Sequence, residues 1–279
     1  MIQELSHKEI TLSEQKELQL GLLESVHNFC EKYNLKYVLT YGTLIGAVRH
    51  KGFIPWDDDI DIAMPRSDYQ KFIELSKINP IDKNISVVSI QTDKRCVYPF
   101  MKVYRNDTEV RENISSSFTT GVWIDVFPLD NMSDNLVVAT NLFNKVKRLR
   151  KIKEAELWVR NDQVSLWKGI LLVLYGYLLR LFLPLKYLIP SIEKKARLFE
   201  SNTLTRYVCV VVLGTYGISE IMESTAFSQR CTLPFEGKQR YVPKDWDYVL
   251  TKLYGDYMQL PPEEKRISHH GYTAYWKCG

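Results

Sequence analysis

The segment WDDDIDIAM, residues 56–64, restricts the possible folds of this chain more than any other. It places Asp57, Asp58, Asp59 and Asp61 within five consecutive positions. Carboxylates this close repel one another, so the fold must leave them in solvent or answer them with positive charge. From Asp59 to Met64 acidic or small residues alternate with apolar ones, the period of a strand. On such a strand Ile60 and Ile62 face the core, Asp57, Asp59 and Asp61 share the other face, and Asp58 points away from them. A second segment, WIDVF at 123–127, sets Asp125 between apolar neighbours in the same way. If the two strands pair, Asp125 joins the first group. Such a carboxylate set suits one or two hard divalent cations, Mg2+ or Mn2+ in its place.

Two other readings of the acidic run stay open at this point. A solvated acidic loop is the common fate of such runs, although the alternation with Ile60, Ile62 and Met64 argues against it. A calcium loop would use Asp57, Asp59, Asp61 and Asp68 at its usual spacing. Ile62, however, stands where that loop needs glycine, and GFIP at 52–55 replaces the helix expected upstream.

The flanking sequence predicts a mixed α/β (α+β) core, a mixed sheet flanked by helices. Thr11-Leu-Ser-Glu14 forms a capping-box pattern. Leu22, Leu23, Val26, Phe29, Cys30 and Tyr33 follow at helical spacing, and Asn34 stops the helix. KYVLT reads as a strand, YGTLIGAVRH as a turn into a short helix, DIDIAM as a strand and SDYQKFIELSKI as a helix. ISVVSI, FMKVY and VWIDVFPL read as further strands. Near the C-terminus Trp246, Val249, Leu250 and Leu253 line one helix face, with Gly255 as its stop.

Between these parts the character changes. Residues 133–200 read as helical, and from Lys145 to Arg197 the chain carries 13 Lys/Arg against 4 Asp/Glu. KVKRLRKIK (145–153) precedes the apolar stretch SLWKGILLVLYGYLLRLFLPLKYLIP (165–190). That stretch has the length of a span, but Arg180 and Pro184 interrupt it. Helices lying in a membrane interface, with Lys168, Arg180 and Lys186 snorkelling, are the favoured reading. Buried core helices and a true span are the alternatives. A basic surface also suits nucleic acid, but no motif for it is present and the apolar partner has no use there, so no nucleic acid is expected. The expected organisation is a catalytic core over 1–130, a helical, membrane-associated insertion over 131–229, and a segment over 230–279 that completes the core. Five cysteines (Cys30, Cys96, Cys209, Cys231, Cys278) without paired spacing suggest reduced thiols and a cytoplasmic setting. MIQELSHKEI lacks the features of a signal peptide.

Gly42-Thr43 opens a helix directly after a strand, a geometry that suits a phosphate. Some fifteen residues later comes Asp59-Ile-Asp61-Ile. This arrangement resembles the signature of the nucleotidyltransferase-fold superfamily, the DNA polymerase beta type. The longer string YGTLIGAVRHKGFIPWDDDIDIAMPRSDY resembles the LicD family more narrowly. KVYR (102–105), WIDVFPLD (123–130) and FEGKQRYVPKDWDYVLTKLYGDYMQLPPEEKR (235–266) extend the likeness. It covers roughly residues 35–130 and 230–270, and the middle insertion takes no part.

The resemblance implies a Mg2+-dependent phosphotransferase that moves phosphocholine from a CDP-choline donor to a sugar hydroxyl. The acceptor would be a lipid-linked cell-envelope glycan, a teichoic acid or lipopolysaccharide precursor. CDP-ribitol or CDP-glycerol would serve the same chemistry. Asp59, Asp61 and Asp125 would be catalytic metal ligands, with Asp57 as an additional ligand. Gly42, Thr43, Arg49, Lys102, Arg105 and Glu236 are the expected substrate contacts, and Glu236 could equally hold a turn. Tyr41, Trp56, Tyr98 and Trp123 are candidate walls for a quaternary ammonium, with core packing as the plainer role. His269-His270 could touch substrate or lie on the surface. The expected location is the cytoplasmic face of the cell membrane, peripheral or monotopic. A metal-dependent nucleotide-sugar glycosyltransferase, which also uses an Asp-x-Asp pair, is the alternative enzyme class. A non-catalytic membrane-surface module with a structural divalent ion is the alternative to an enzyme.

Overall fold

The computed structural model describes residues 8–159, 166–200, 205–267 and 271–277. The chain begins with α1 (Leu12–Lys32), β1 (Val38–Leu39), α2 (Tyr41–Ile45), β2 (Asp61–Pro65) and α3 (Arg66–Ile78). Then come β3 (Ile85–Val88), β4 (Met101–Arg105), β5 (Thr108–Glu112) and β6 (Trp123–Asn131). The helices α4 (Leu136–Leu157), α5 (Leu166–Phe182) and α6 (Leu185–Ala196) follow. The chain ends with β7 (Tyr207–Cys209), β8 (Met222–Glu223), β9 (Arg230–Phe235), β10 (Lys238–Pro243), α7 (Trp246–Tyr254) and β11 (Tyr272–Trp276).

The first helix starts where its sequence says it should. The Thr11 hydroxyl accepts from the Glu14 N–H at 3.2 Å, and the Glu14 carboxylate accepts from the Thr11 N–H at 2.9 Å. Two of the helix's otherwise unpaired donors are thereby satisfied. The buried side of α1 carries Leu22, Leu23, Val26, Phe29 and Cys30. Asn34, at φ 52°, then turns the chain toward β1.

The main sheet has the order β1-β2-β6-β4-β3, and β7 and β8 extend it from the end of β6. Strands β2 and β6 run parallel, while β4 runs antiparallel to β6. Alternation divides the central strands between two faces. Ile62 and Met64, Ile124 and Val126, Met101 and Val103 join a core with α1 and α3. Phe127, Leu129 and Phe100 join a second core with Leu142 and Phe143 of α4 and Leu188 and Ile192 of α6. Asp61 and Asp125 belong by parity to this second face.

The expected helical stretch at 133–200 is present as α4 to α6. Between Thr205 and Gln229 the described residues form no α-helix, only short helical turns at Gly217–Glu220 and Ser224–Phe227: Tyr207–Cys209 supplies β7, which pairs with Asp130 and Asn131 at the end of β6. No single described helix is long and apolar enough to cross a membrane. Two helical stretches, Trp167–Phe182 and Leu185–Phe199, reach that length only together, bent by 75° where Pro184 breaks them.

A buried charge cluster ties these helices to the sheet. The Arg66 guanidinium donates to both Asp130 oxygens, at 2.6 and 3.0 Å, and to Glu193 of α6 at 2.7 Å. All three residues are buried. Removing one partner of such a group leaves uncompensated buried charge. Arg66→Met is expected to cost about 3–5 kcal/mol. Urea unfolding of the variant against the parent chain checks the figure.

Candidate active site

The pairing of β2 with β6 builds the site. Asp61 and Asp125 are register partners on adjacent parallel strands. The Asp125 N–H donates to the Ile60 carbonyl at 2.9 Å. The Asp61 N–H donates to the Thr43 hydroxyl at 2.8 Å, which fixes the start of β2 against α2. Ahead of Asp61, carboxylate oxygens of Asp57, Asp58 and Asp59 come within 4.8 Å of one another. Five acidic side chains are therefore gathered at one end of the sheet.

Asp58 corrects an expectation. The segment 57–60 precedes β2 and is not itself a strand, so strand alternation does not turn Asp58 away. Its carbonyl accepts from Gln15 at 2.7 Å, Gln19 at 2.9 Å and the Tyr272 hydroxyl at 3.3 Å. Helix α1 and strand β11 thus fix the acidic loop by its backbone and leave the side chains to converge.

The electrostatics match that crowding. Burial raises the Asp61 pKa well above the ordinary carboxylate value, and the charges of Asp59, Asp125 and Asp57 raise it further. Lys102 Nζ answers them from inside, 2.9 Å from Asp125 Oδ1 and almost fully buried, and Lys16 lies close enough to Asp57 and Asp58 to feel their charge. The Lys102 ammonium sits 3.6 Å from the centre of the Trp123 ring and 4.3 Å from that of Tyr98. Burial lowers its pKa, and Asp125 opposes that shift.

The other expected contacts divide. Gly42 lies against Asp57: a Cβ there would stand 2.6 Å from Asp57 Oδ2, so glycine leaves room for that carboxylate. Thr43 holds Asp61, as described. Arg49 donates to His50 Nε2 at 2.9 Å and to the Tyr257 carbonyl at 2.8 Å. Its pKa is lowered by burial and by the nearby charge of Arg266, whose guanidinium stacks 5.7 Å from the Trp56 ring. Arg105 does not join the group. It lies on the face of Met101 and Val103, opposite Lys102, and pairs with Asp107 at 2.5 Å. Glu236, in a turn with φ 48°, accepts from the Phe53 N–H at 2.9 Å. It closes the loop at Gly52, where an added Cβ would run into its carboxylate. Tyr98 and Trp123 turn their rings to Lys102, and Tyr41 packs against Phe127 and Tyr216. His269, His270 and Cys278 lie outside the described residues.

Two tyrosines brought in by distant segments, with Tyr41 of α2, complete the surroundings. Tyr216 and Tyr254 lie close enough to Asp57 and Asp61 to feel their charge. Their rings meet edge to face at 4.7 Å and their hydroxyls at 2.9 Å. Tyr41, at φ 47°, donates to Glu220 at 2.9 Å, and the same carboxylate accepts from the Tyr216 N–H at 2.8 Å.

This chain is 30% identical over 276 residues to the lipopolysaccharide cholinephosphotransferase LicD of Haemophilus influenzae, covering 96% of this chain and 99% of the relative. The chain belongs to the LicD family. The family description "LicD/FKTN/FKRP, nucleotidyltransferase domain" matches residues 34–159, from β1 through α4. Uncharacterised proteins of Rickettsia typhi and Rickettsia prowazekii match shorter stretches. The first is 44% identical over 69 residues, 24% of this chain and 22% of its own length. The second is 43% identical over 74 residues, 26% of this chain and 27% of its own length. As a LicD-family transferase the chain has a site built on carboxylate oxygens. A hard divalent cation fits that donor set, and a thiolate-seeking metal does not.

Glu220, which supports Tyr41 behind Gly42, gives a pH signature. Burial pushes its pKa up from 4.5 to about 7. Its ionisation therefore costs more in the folded than in the unfolded chain. Stability is greatest where both forms are protonated, falls as pH rises past the unfolded value, and levels above the folded one. Unfolding free energy is expected to drop by about 2–3 kcal/mol from this group between about pH 4.5 and pH 7. Denaturant titrations across that range should show the drop in the parent chain and a flatter profile in Glu220→Gln.

Proposed function

We propose that this protein transfers phosphocholine from CDP-choline to a sugar hydroxyl of a lipid-linked cell-envelope glycan, of the lipopolysaccharide or teichoic acid type, and releases CMP. One observation carries the reading: Asp61 and Asp125 stand in register beside Asp57 and Asp59, in a chain similar along its length to a lipopolysaccharide cholinephosphotransferase. In this reading the enzyme works at the cytoplasmic face of the cell membrane.

The reaction forms a bond between the acceptor oxygen and the choline-bearing phosphorus. The bond from that phosphorus to the CMP oxygen breaks, and CMP leaves with the electron pair. The acceptor's proton passes to a carboxylate of the cluster. Asp57, Asp59, Asp61 and Asp125 would hold Mg2+, or Mn2+ in its place, which would neutralise charge on the diphosphate. Lys102 holds Asp125 in place and removes one charge from the group. Arg49 and Arg266, two guanidiniums near each other, favour an anion between them, and the donor's diphosphate is such an anion. The half-buried Tyr216–Tyr254 pair beside Asp57 and Asp61 offers ring faces to the quaternary ammonium.

The test measures nucleotide release from CDP-choline, CDP-ribitol, CDP-glycerol and nucleotide sugars, with a membrane glycolipid extract and either Mg2+ or EDTA. CMP from CDP-choline alone is expected, only with metal. Asp61→Asn should lower kcat by about 100-fold or more. Arg49→Ala should raise KM for the donor about tenfold with a smaller change in kcat. CMP from another donor would replace choline and keep the chemistry. A nucleoside diphosphate released from a nucleotide sugar, with no CMP, would overturn the proposal.

A further inference from the structure

Helix α5 has two unlike sides. The inner side packs closely on α4: a Cβ at Gly176 would lie 2.5 Å from the Ala155 carbonyl. Arg180 anchors the same side, donating to the Glu156 carbonyl at 2.5 Å and to the Ser115 hydroxyl at 2.9 Å. The outer side carries Trp167, Leu171, Leu174, Leu178 and Leu181, every one exposed, from 53% to 77%. Their spacing of four, three, four and three residues makes one continuous stripe. An apolar stripe of this size on a helix held rigidly in place marks a surface that meets something apolar.

Beside this stripe, past the 75° bend, lies a groove of about 1260 Å3. It runs between the start of α6 and the loops at 90–97 and 115–117, and is lined by Lys94, Arg95, Lys186, Lys194 and Arg197. Lys94, Lys186 and Lys194 are exposed, and Lys168 flanks the stripe at its other end. Glu193 also lines the groove, but its carboxylate is engaged by Arg66. Arg95 pairs with Asp93 at 2.7 Å and Arg197 with Glu200 at 2.6 Å, so the groove presents Lys94, Lys186 and Lys194 to a ligand.

We infer that α5 lies along a bilayer of anionic phospholipid, with its stripe among the acyl chains and the α6 groove receiving lipid phosphate groups. Apolar residues edged by lysines complement such a surface on both counts. Pairing with a second copy through the same stripe would bring two basic rims together. A helix of 17 residues is about 25 Å long and carries Lys168 and Arg180, so it suits lying in the interface. This surface deepens one part of the reading above, the membrane attachment, and rests on none of the transfer chemistry.

The experiment is flotation of the full chain with vesicles of phosphatidylcholine alone, or with about one third phosphatidylglycerol. The parent protein should bind the anionic vesicles at least about tenfold more tightly than the neutral ones. Lys186→Glu with Lys194→Glu should remove that preference, and Leu174→Asp should weaken binding to both vesicle types. Unchanged melting temperatures and CMP release from a detergent-dispersed acceptor separate these effects from misfolding and from the chemistry. Failure of the parent protein to bind either vesicle would overturn the inference. So would binding that ignores both variants, or a dimer in solution that Leu174→Asp dissociates.

Discussion

The parallel pairing of β2 with β6 governs the rest of this molecule. It brings Asp61 beside Asp125, and each strand buries apolar residues on either side of its acid. Two carboxylates on neighbouring strands, with three more ahead of them, oppose folding unless something offsets their charge. Lys102 offsets part of it from the next strand, where its register partner is Asp125. Lys16 adds a second positive charge near Asp57 and Asp58, and a divalent cation would meet the charge left over. The acids thus stand in a costly arrangement that only positive charge makes favourable.

Much of this was legible because it is local. The capping box at Thr11, the alternation through β2 and β6, and the Gly255 stop at φ 70° each depend on neighbours within a few residues. What escaped depends on distance along the chain or on turn chemistry. Asp58 joins the group because 57–60 is a loop fixed by α1 and β11, which strand parity does not describe. Arg105 is claimed by Asp107 two residues on, a local pair that the KVYR motif conceals. The β9–β10 hairpin turns on Glu236-Gly237, both at positive φ, so of the two roles the sequence left open for Glu236 the fold displays the turn. Tyr216 and Glu220 carry no motif, Tyr254 stands in the 235–266 string with no role assigned to it there, and only the fold brings them to Gly42.

The middle of the chain is joined to the catalytic sheet by more than covalent links. Arg66 leads α3 out of β2 and holds Asp130 of β6 and Glu193 of α6 together. From the other side Arg150 of α4 donates to the Val211 carbonyl at 2.7 Å, bracing the segment that carries Tyr216 and Glu220. Helices α4 and α6, which precede and follow α5 with its apolar stripe, are therefore fixed relative to the carboxylates.

The central claim is that the carboxylates are kept together for a divalent cation. The direct measurement is the melting temperature of the parent chain and of Asp61→Asn, each in EDTA and in increasing Mg2+ or Mn2+. Binding of a cation to the folded state alone raises stability by about 2.7 kcal/mol at a hundredfold excess over its Kd. The account predicts that the parent melts higher with metal. It predicts that Asp61→Asn is the more stable of the two in EDTA, because a repelling charge is gone, and gains little from metal. A parent protein indifferent to metal, with Asp61→Asn the less stable form in EDTA, would contradict it.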